Sequence, residues 1–495
     1  MLVMDGERPV VASAALQRRL EQMHHEDVAG ESPSVSPSGS DRSYDSTELT
    51  VLSDHGSGSG SGGNGNSYGS VASEPLMKAF HVSDRILVSA VANLSTAYNL
   101  AVINYAMIMI RQTYPPSSPE LTSMVASCSL VGAILGQLTF GYIGAAVGRK
   151  KGMIFTLVLS IVGATTSALC PWSKHNVYET LALCRFILGL GVGGVYPLSA
   201  TTAVESSHDE TKNSKMVAAV FSFQGIGQLL APLVAVLLLE FGLPRFVGWR
   251  VLLGVGALPG LFVLKQAFHA KEVVDHLPSG KPVHHDPARE DLWQRLSTDR
   301  ELRDKFVGAA LGWFLFDVTF YGNVIFTPII LEDTYGFDEH HLLDVALCAL
   351  VVAGIGLPGY YVTVALVGRL SFKTIQILGF VVMAVLFLLL GAFYNQLLDF
   401  PGLLLTLYAL TFFFSNFGPN VSTFSLPAEI FPPDVRVKLN GISAACGKLG
   451  ATVGAAAFGL VEQQWGVSSV LIMSALASVL GIIVTYRYIP AKQYH

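Results

Sequence analysis

Charge is what this sequence has least of. Only 14% of its 495 residues are Asp, Glu, Lys or Arg, against 51% that are hydrophobic. A soluble domain carries about 25% charge, so the composition excludes an ordinary water-soluble protein. A basic excess is missing too: the formal net charge is -5, and without a basic patch there is no electrostatic footprint for nucleic acid. Cysteine is scarce and unpaired in spacing. Cys128, Cys170, Cys184, Cys348 and Cys446 fall in or beside apolar runs with no metal-ligand pattern and read as small packing residues. His284 and His285, in a polar middle segment, and His340 and His341, before the eighth apolar run, read as solvated loop histidines. No nucleophile-base set, nucleotide-binding loop or metal motif stands in the right context, so neither an enzyme nor a cofactor is expected.

What is present is a series of long apolar runs, about twelve of them, each near the ~20 residues that cross ~30 Å of hydrocarbon as a helix. In the first half they run Ile86 to Ile110, Leu121 to Gly144, Gly152 to Pro171, Leu181 to Val204, Met216 to Leu239 and Val251 to Phe268. The second half has Phe306 to Leu331, Leu342 to Val367, Ile375 to Tyr394, Leu403 to Leu426, Ile442 to Val461 and Val467 to Tyr488. A charged connector, 269–305, divides them six and six. The expected architecture is all-α and membrane-embedded: 12 transmembrane helices in two six-helix bundles, 86–268 and 306–489, with lipid as the surrounding solvent.

Residues 1–85 are Ser- and Gly-rich, with GSGSGSGGNGNS near the end, and read as a disordered cytosolic tail. Its serines could accept phosphate, although a solvated tether accounts for the composition. No cleavable signal peptide is visible, so the first span is expected to direct insertion. Basic residues gather in alternate loops: Arg149, Lys150 and Lys151; Lys212 and Lys215; Arg369 and Lys373; Arg436 and Lys438; Arg487 and Lys492. The positive-inside rule then puts the connector, the tail and the short C-terminus, 490–495, in the cytosol.

Two places carry chemistry. In WFLFDVTFY a lone carboxylate, Asp317, lies inside an apolar run, with Trp313 and Tyr321 four residues to either side on one helix face. A charge at membrane depth costs at least ~2.5–3.5 kcal/mol on insertion scales, which marks a wet cavity and a substrate or proton to handle. In the fourth run, RFILGLGVGGVYPLSATTAVE, Gly189, Gly191, Gly193 and Gly194 suit close helix packing. Tyr196 follows them, placing a hydroxyl donor beside a thinned backbone.

These motifs, with FSFQGIGQL, PGYYVTVA, FGPNVSTFSLPAEIFP and NGISAACGKLGA, resemble the phosphate:proton symporter family of the major facilitator superfamily over Ile86 to Tyr488. The resemblance implies a phosphate site built from Tyr196, Gln224, Trp313, Asp317, Tyr321 and Asn420, with Lys448 as a nearby cation. If Asp317 is protonated before or during binding, that one residue links phosphate to proton movement, inorganic phosphate and protons being the expected partners. Asp317 paired with Lys448 as a purely structural bridge is the competing reading. Asn420-Val421-Ser422 matches a glycosylation sequon but falls inside a span and is discounted.

The chain also departs from the family. Thr96, Asn99 and Val195 stand where family members carry aspartates implicated in the proton route. Uniport, another coupling cation, or coupling through Asp317 alone therefore stay open. In GYIGAAVGRKK, Ala145 and Ala146 replace an acid and a base of the superfamily gate motif, and Gly368 is not acidic at the related position. A weaker cytosolic latch is expected, with Arg149, Glu205 and Glu429 as remaining gate residues. The function implied is secondary active transport of inorganic phosphate, most simply at the plasma membrane. Alternatives are a carrier for an organic phosphate or other anion, and a non-transporting phosphate sensor.

Overall fold

The computed structural model describes residues 83–116, 118–170, 176–206, 209–270, 292–336 and 341–491. The tail up to residue 82, most of the connector with His284 and His285, His340, and residues 492–495 lie outside the described residues. Helices dominate what is described, and the pairing of Val367 with Leu370 is an isolated bridge rather than a strand. Lipid dictates this outcome, because backbone N–H and C=O groups without water must be satisfied within the helix itself.

Six helices form the first half: α1 (Asp84–Thr113), α2 (Glu120–Val147), α3 (Arg149–Leu169), α4 (Val177–Val204), α5 (Glu210–Glu240) and α6 (Arg245–His269). The second half begins with α7 (Arg300–Tyr335), followed by α8 (Leu342–Leu366), α9 (Phe372–Ala392) and α10 (Pro401–Ile430). The helix Pro433–Tyr488 is two spans, α11 (433–465) and α12 (467–488), because Gly466 at φ 76° turns the chain. Only glycine enters that region without strain. Twelve spans result among the described residues, with edges a few residues from the apolar runs. α7 starts at Arg300, inside the segment read as connector, and Leu292–Thr298 forms a short helix of its own. Leu292 and Leu296 of that helix pack on Phe431, Val435 and Leu439, while Arg295 pairs with Asp434.

Glycines set the helix contacts, and the same contacts recur in both halves. A methyl at Gly227 of α5 would lie 2.2 Å from the Leu94 carbonyl oxygen of α1. Its counterpart at Gly454 of α11 would lie 2.3 Å from the Val318 carbonyl oxygen of α7. Gly193 of α4 abuts Ala133 of α2, as Gly359 of α8 abuts Phe413 of α10. Gly260 of α6 meets Ile161 of α3, as Gly391 of α9 meets Ile472 of α12. Backbones this close gain dispersion contact that lipid cannot supply, and the recurrence identifies two structurally repeated six-helix bundles.

The bundles meet along two seams, α2 with α11 and α5 with α8. Gly141 faces Gly441 in the first, and Gly225 faces Leu357 and Tyr360 in the second. At the end carrying the basic loops they are also tied by polar groups: Arg436 of α11 pairs with Glu205 at 3.2 Å, and Ser214 of α5 donates to Glu429 of α10 at 2.6 Å. Large apolar side chains left uncovered, including Phe155, Leu183, Phe262, Leu388 and Leu460, lie on the spans. Such surface is costly in water and ordinary in lipid.

Candidate functional site

α7 and α11 run side by side because Gly447, Gly450 and Gly454 bring α11 onto the backbone and the Trp313 indole of α7. That approach puts Lys448 between two groups of α7. Its Nζ donates to Asp317 Oδ2 at 2.9 Å and to the Tyr321 hydroxyl at 2.9 Å. The Asp317 and Lys448 side chains are 3% and 2% exposed, so this is a dry ion pair. Its Coulomb gain roughly offsets desolvation, whereas removing one partner strands a charge at about 3–5 kcal/mol. The ammonium also lies 4.2 Å from the Tyr321 ring centre and 5.5 Å from that of Tyr196.

Tyr196 belongs to the facing bundle. Pro197, next in α4, supplies no backbone N–H, which leaves the preceding turn short of one hydrogen bond where the tyrosine emerges. The Tyr196 ring meets Trp313 edge-on at 6.1 Å and Phe424 at 6.1 Å, and Phe221 stacks on Phe424 at 4.2 Å. α4, α5, α7 and α10 thus build an aromatic wall beside the Lys448–Asp317 pair.

Two amides complete the surroundings. Gln224 of α5 donates to Asn93 Oδ1 of α1 at 3.3 Å, and Asn93 in turn donates to Ser199 of α4 at 2.9 Å. Asn420 sits at the end of a π-helical turn, Asn416–Asn420, where Gly418 leaves helical geometry and packs on Gly379 of α9. Turns of this kind break the regular ladder and re-aim side chains, often at functional sites. Asn420 Nδ2 donates to the Tyr360 hydroxyl at 2.8 Å, and that hydroxyl donates to Gln228 at 3.2 Å. Asn420 is buried and hydrogen-bonded within its span, which leaves no access for a glycan.

Of the residues singled out from sequence, Tyr196, Trp313, Asp317, Tyr321 and Lys448 lie together, while Gln224 is tied to α4 through Asn93 and Ser199. Asn420 joins the bundle interface through Tyr360. Sequence reasoning did not select Tyr360, Gln228 or Asn93. The first two were within reach, since Tyr360 is in PGYYVTVA and Gln228 follows Gln224 by one helical turn. The set offers one cation, an indole N–H, phenols and amides as donors, and one carboxylate as acceptor. A small oxyanion that keeps a hydroxyl group matches it.

The positions that lack family acids are occupied quietly. Val195 packs with Phe140, Met153 and Leu198, away from the Tyr196 cluster. Asn99 donates to the Gly256 carbonyl at 2.9 Å, and Thr96 is buried. At the end carrying the basic loops, Glu205 bridges Arg149 at 3.1 Å within its own bundle and Arg436 in the other. Ala145 and Ala146 contribute no charge there, and Arg436, which the sequence offers only as an orientation signal, is the cross-bundle partner of Glu205.

Residues 86–426 match the model of the Major Facilitator Superfamily. The inorganic phosphate transporter PT2 of Toxoplasma gondii is 31% identical, over 82% of this chain and 71% of its own. Inorganic phosphate transporter 1-11 of Oryza sativa is 32% identical, over 81% and 84%. In fold, the proton:xylose symporter XylE bound to 6-bromo-6-deoxy-D-glucose aligns with a TM-score of 0.67 at 20% identity, over 82% of this chain and 95% of its own. FucP in its outward conformation aligns at 0.65 and 15%, over 82% and 99%. The repeated six-helix bundles, the family match and the relatives agree: this chain is an integral multi-pass membrane protein of the major facilitator superfamily, in the branch that holds these phosphate transporters.

Proposed function

We propose that the protein is a secondary active transporter that carries inorganic phosphate across a membrane by alternating access, coupled to protons through Asp317. The observation that carries this reading is the buried contact of Lys448 with both Asp317 and Tyr321, at the boundary between the bundles, where the ammonium lies 5.5 Å from the Tyr196 ring of α4. Dihydrogen phosphate both accepts and donates hydrogen bonds. Its charged oxygens suit Lys448, the Trp313 N–H, the tyrosine hydroxyls and the Gln224 and Asn420 amides. Its hydroxyls can donate to Asp317, which sulfate, lacking a proton near neutral pH, cannot do. An unpaired buried acceptor then disfavours sulfate.

Binding an anion at Lys448 competes with the Lys448–Asp317 pair, so phosphate entry and a proton on Asp317 favour each other. The closed latch at Glu205, Arg436, Ser214 and Glu429 serves as the inner gate in this scheme. Basic loops at that end argue for a cytosolic position of the gate and of both termini, and the plasma membrane is the natural site for such a carrier. Nothing in this scheme calls on catalysis or a cofactor.

Uniport is the second reading, favoured by the neutral residues Thr96, Asn99 and Val195 at positions where the resemblance expects acids. Radiolabelled phosphate uptake into proteoliposomes, with and without an imposed inward proton gradient, separates the two. Accumulation driven by the gradient supports proton coupling, and gradient-independent equilibration supports uniport. Absence of uptake overturns the phosphate reading, in which case a competition panel of glycerophosphodiesters and other organic phosphates identifies the cargo.

A further inference from the structure

Three cations are buried among the described residues: Arg149, Arg185 and Lys448. Lys448 has Asp317 and Arg149 has Glu205. Arg185 has no carboxylate. It stands in α4 with 0% of its surface exposed, and its Nη2 donates to the Asn99 backbone carbonyl of α1 at 2.6 Å. Its Nε and Nη1 meet no acceptor. The Asn99 side chain makes no bond to it: Nδ2 donates to the Ser95 and Gly256 carbonyls, and Oδ1 is itself buried without a partner.

A guanidinium cannot shed its proton, so the charge persists wherever it is buried. Water could satisfy the idle N–H groups but would leave the charge unbalanced in a low-dielectric interior. With Lys448 paired to Asp317 and Arg149 to Glu205, Arg185 is the buried cation without a protein counter-charge among the described residues. We infer that Arg185 holds a small inorganic anion, chloride or dihydrogen phosphate, inside the first bundle, at a site distinct from the one around Lys448. The anion supplies the counter-charge, and its loading tunes the packing of α1, α4 and α6, which meet at Asn99 and Gly256.

The inference does not depend on what the central site carries. Its test is thermal unfolding of the purified full chain in chloride against gluconate at equal ionic strength, with a phosphate titration by calorimetry in gluconate. Two variants accompany it. Arg185→Gln removes the charge, and Asn99→Asp adds a carboxylate to the residue whose backbone carbonyl accepts from the guanidinium. If chloride fills the site, the wild type shows a saturable rise of about 3 °C or more with chloride that both variants lose. If phosphate fills it, the wild type binds one equivalent more in gluconate than Asn99→Asp does. A wild type indifferent to chloride whose phosphate stoichiometry equals that of Asn99→Asp overturns the inference. So does a chloride response that survives in Asn99→Asp, a readout that stands even if Arg185→Gln fails to fold.

Discussion

Arg436 of the second bundle reaches Glu205 of the first at 3.2 Å, and the same carboxylate oxygen accepts from Arg149 at 3.1 Å. One acid therefore holds two guanidiniums, only one of them on its own side of the seam. Glu205→Gln removes the charge that both guanidiniums share. The tie between the bundles at this end should weaken by about 1 kcal/mol or more, roughly a fivefold shift in population. Labelling of Ser214→Cys by an impermeant thiol reagent, applied from the side of the basic loops, should speed up accordingly in the Glu205→Gln background. An unchanged labelling rate would show that packing holds this end closed without it.

Asp317→Asn separates a structural ion pair from a working one. The single substitution strands Lys448 and should cost about 3–5 kcal/mol of stability as well as uptake. Adding Lys448→Met removes the stranded charge, so the double variant should regain most of its thermal stability while phosphate uptake stays lost. Recovery of uptake in the double variant would mean that the pair only supports the fold.

Tyr360→Phe deletes one oxygen and leaves the Asn420 amide and the Gln228 carbonyl facing each other without their bridge. Each stranded group costs about 1–3 kcal/mol if water does not replace the hydroxyl. On the proposed reading, in which Asn420 donates to phosphate, KM for phosphate should rise several-fold more than the maximal rate falls. A fall in maximal rate at constant KM would place Tyr360 in the conformational cycle instead.

Gly454→Ala tests the repeated glycine contacts. Its methyl would lie 2.3 Å from the Val318 carbonyl oxygen, a backbone atom that cannot swing aside. Overpacking of this kind costs about 1–3 kcal/mol, and Gly227→Ala should behave alike in the first bundle. The checking measurement is thermal unfolding in detergent. A neutral result at either position would show that the paired helices part readily.

Much of the fold was legible because lipid makes hydrophobic runs and helices nearly the same thing. The turn at Gly466 and the start of α7 at Arg300 were less so: a charged first turn looks like loop until a neighbouring element covers it. In the site, Asp317 announced itself as a lone charge, and its helix partners followed from spacing by four. Tyr360 did not, since PGYYVTVA offers two adjacent tyrosines and only the rotation of α8 decides between them. Tyr360 is 0% exposed and Tyr361 42%. Arg436 was hidden for the opposite reason: basic residues at span ends have an ample explanation in topology, and only a tertiary contact with Glu205 gives this one a second role.

At the seam between α2 and α11, Gly141 and Gly441 touch backbone to backbone with no side chains between them. Surfaces that interlock must unpack before they turn, and each disengaged side chain adds to the barrier. Two bare backbones can roll past one another with little to disengage. The pace of switching would then be governed by the few polar ties at the gate rather than by the long interface itself, so a single change at Glu205 or Glu429 could alter turnover while both bundles stay intact.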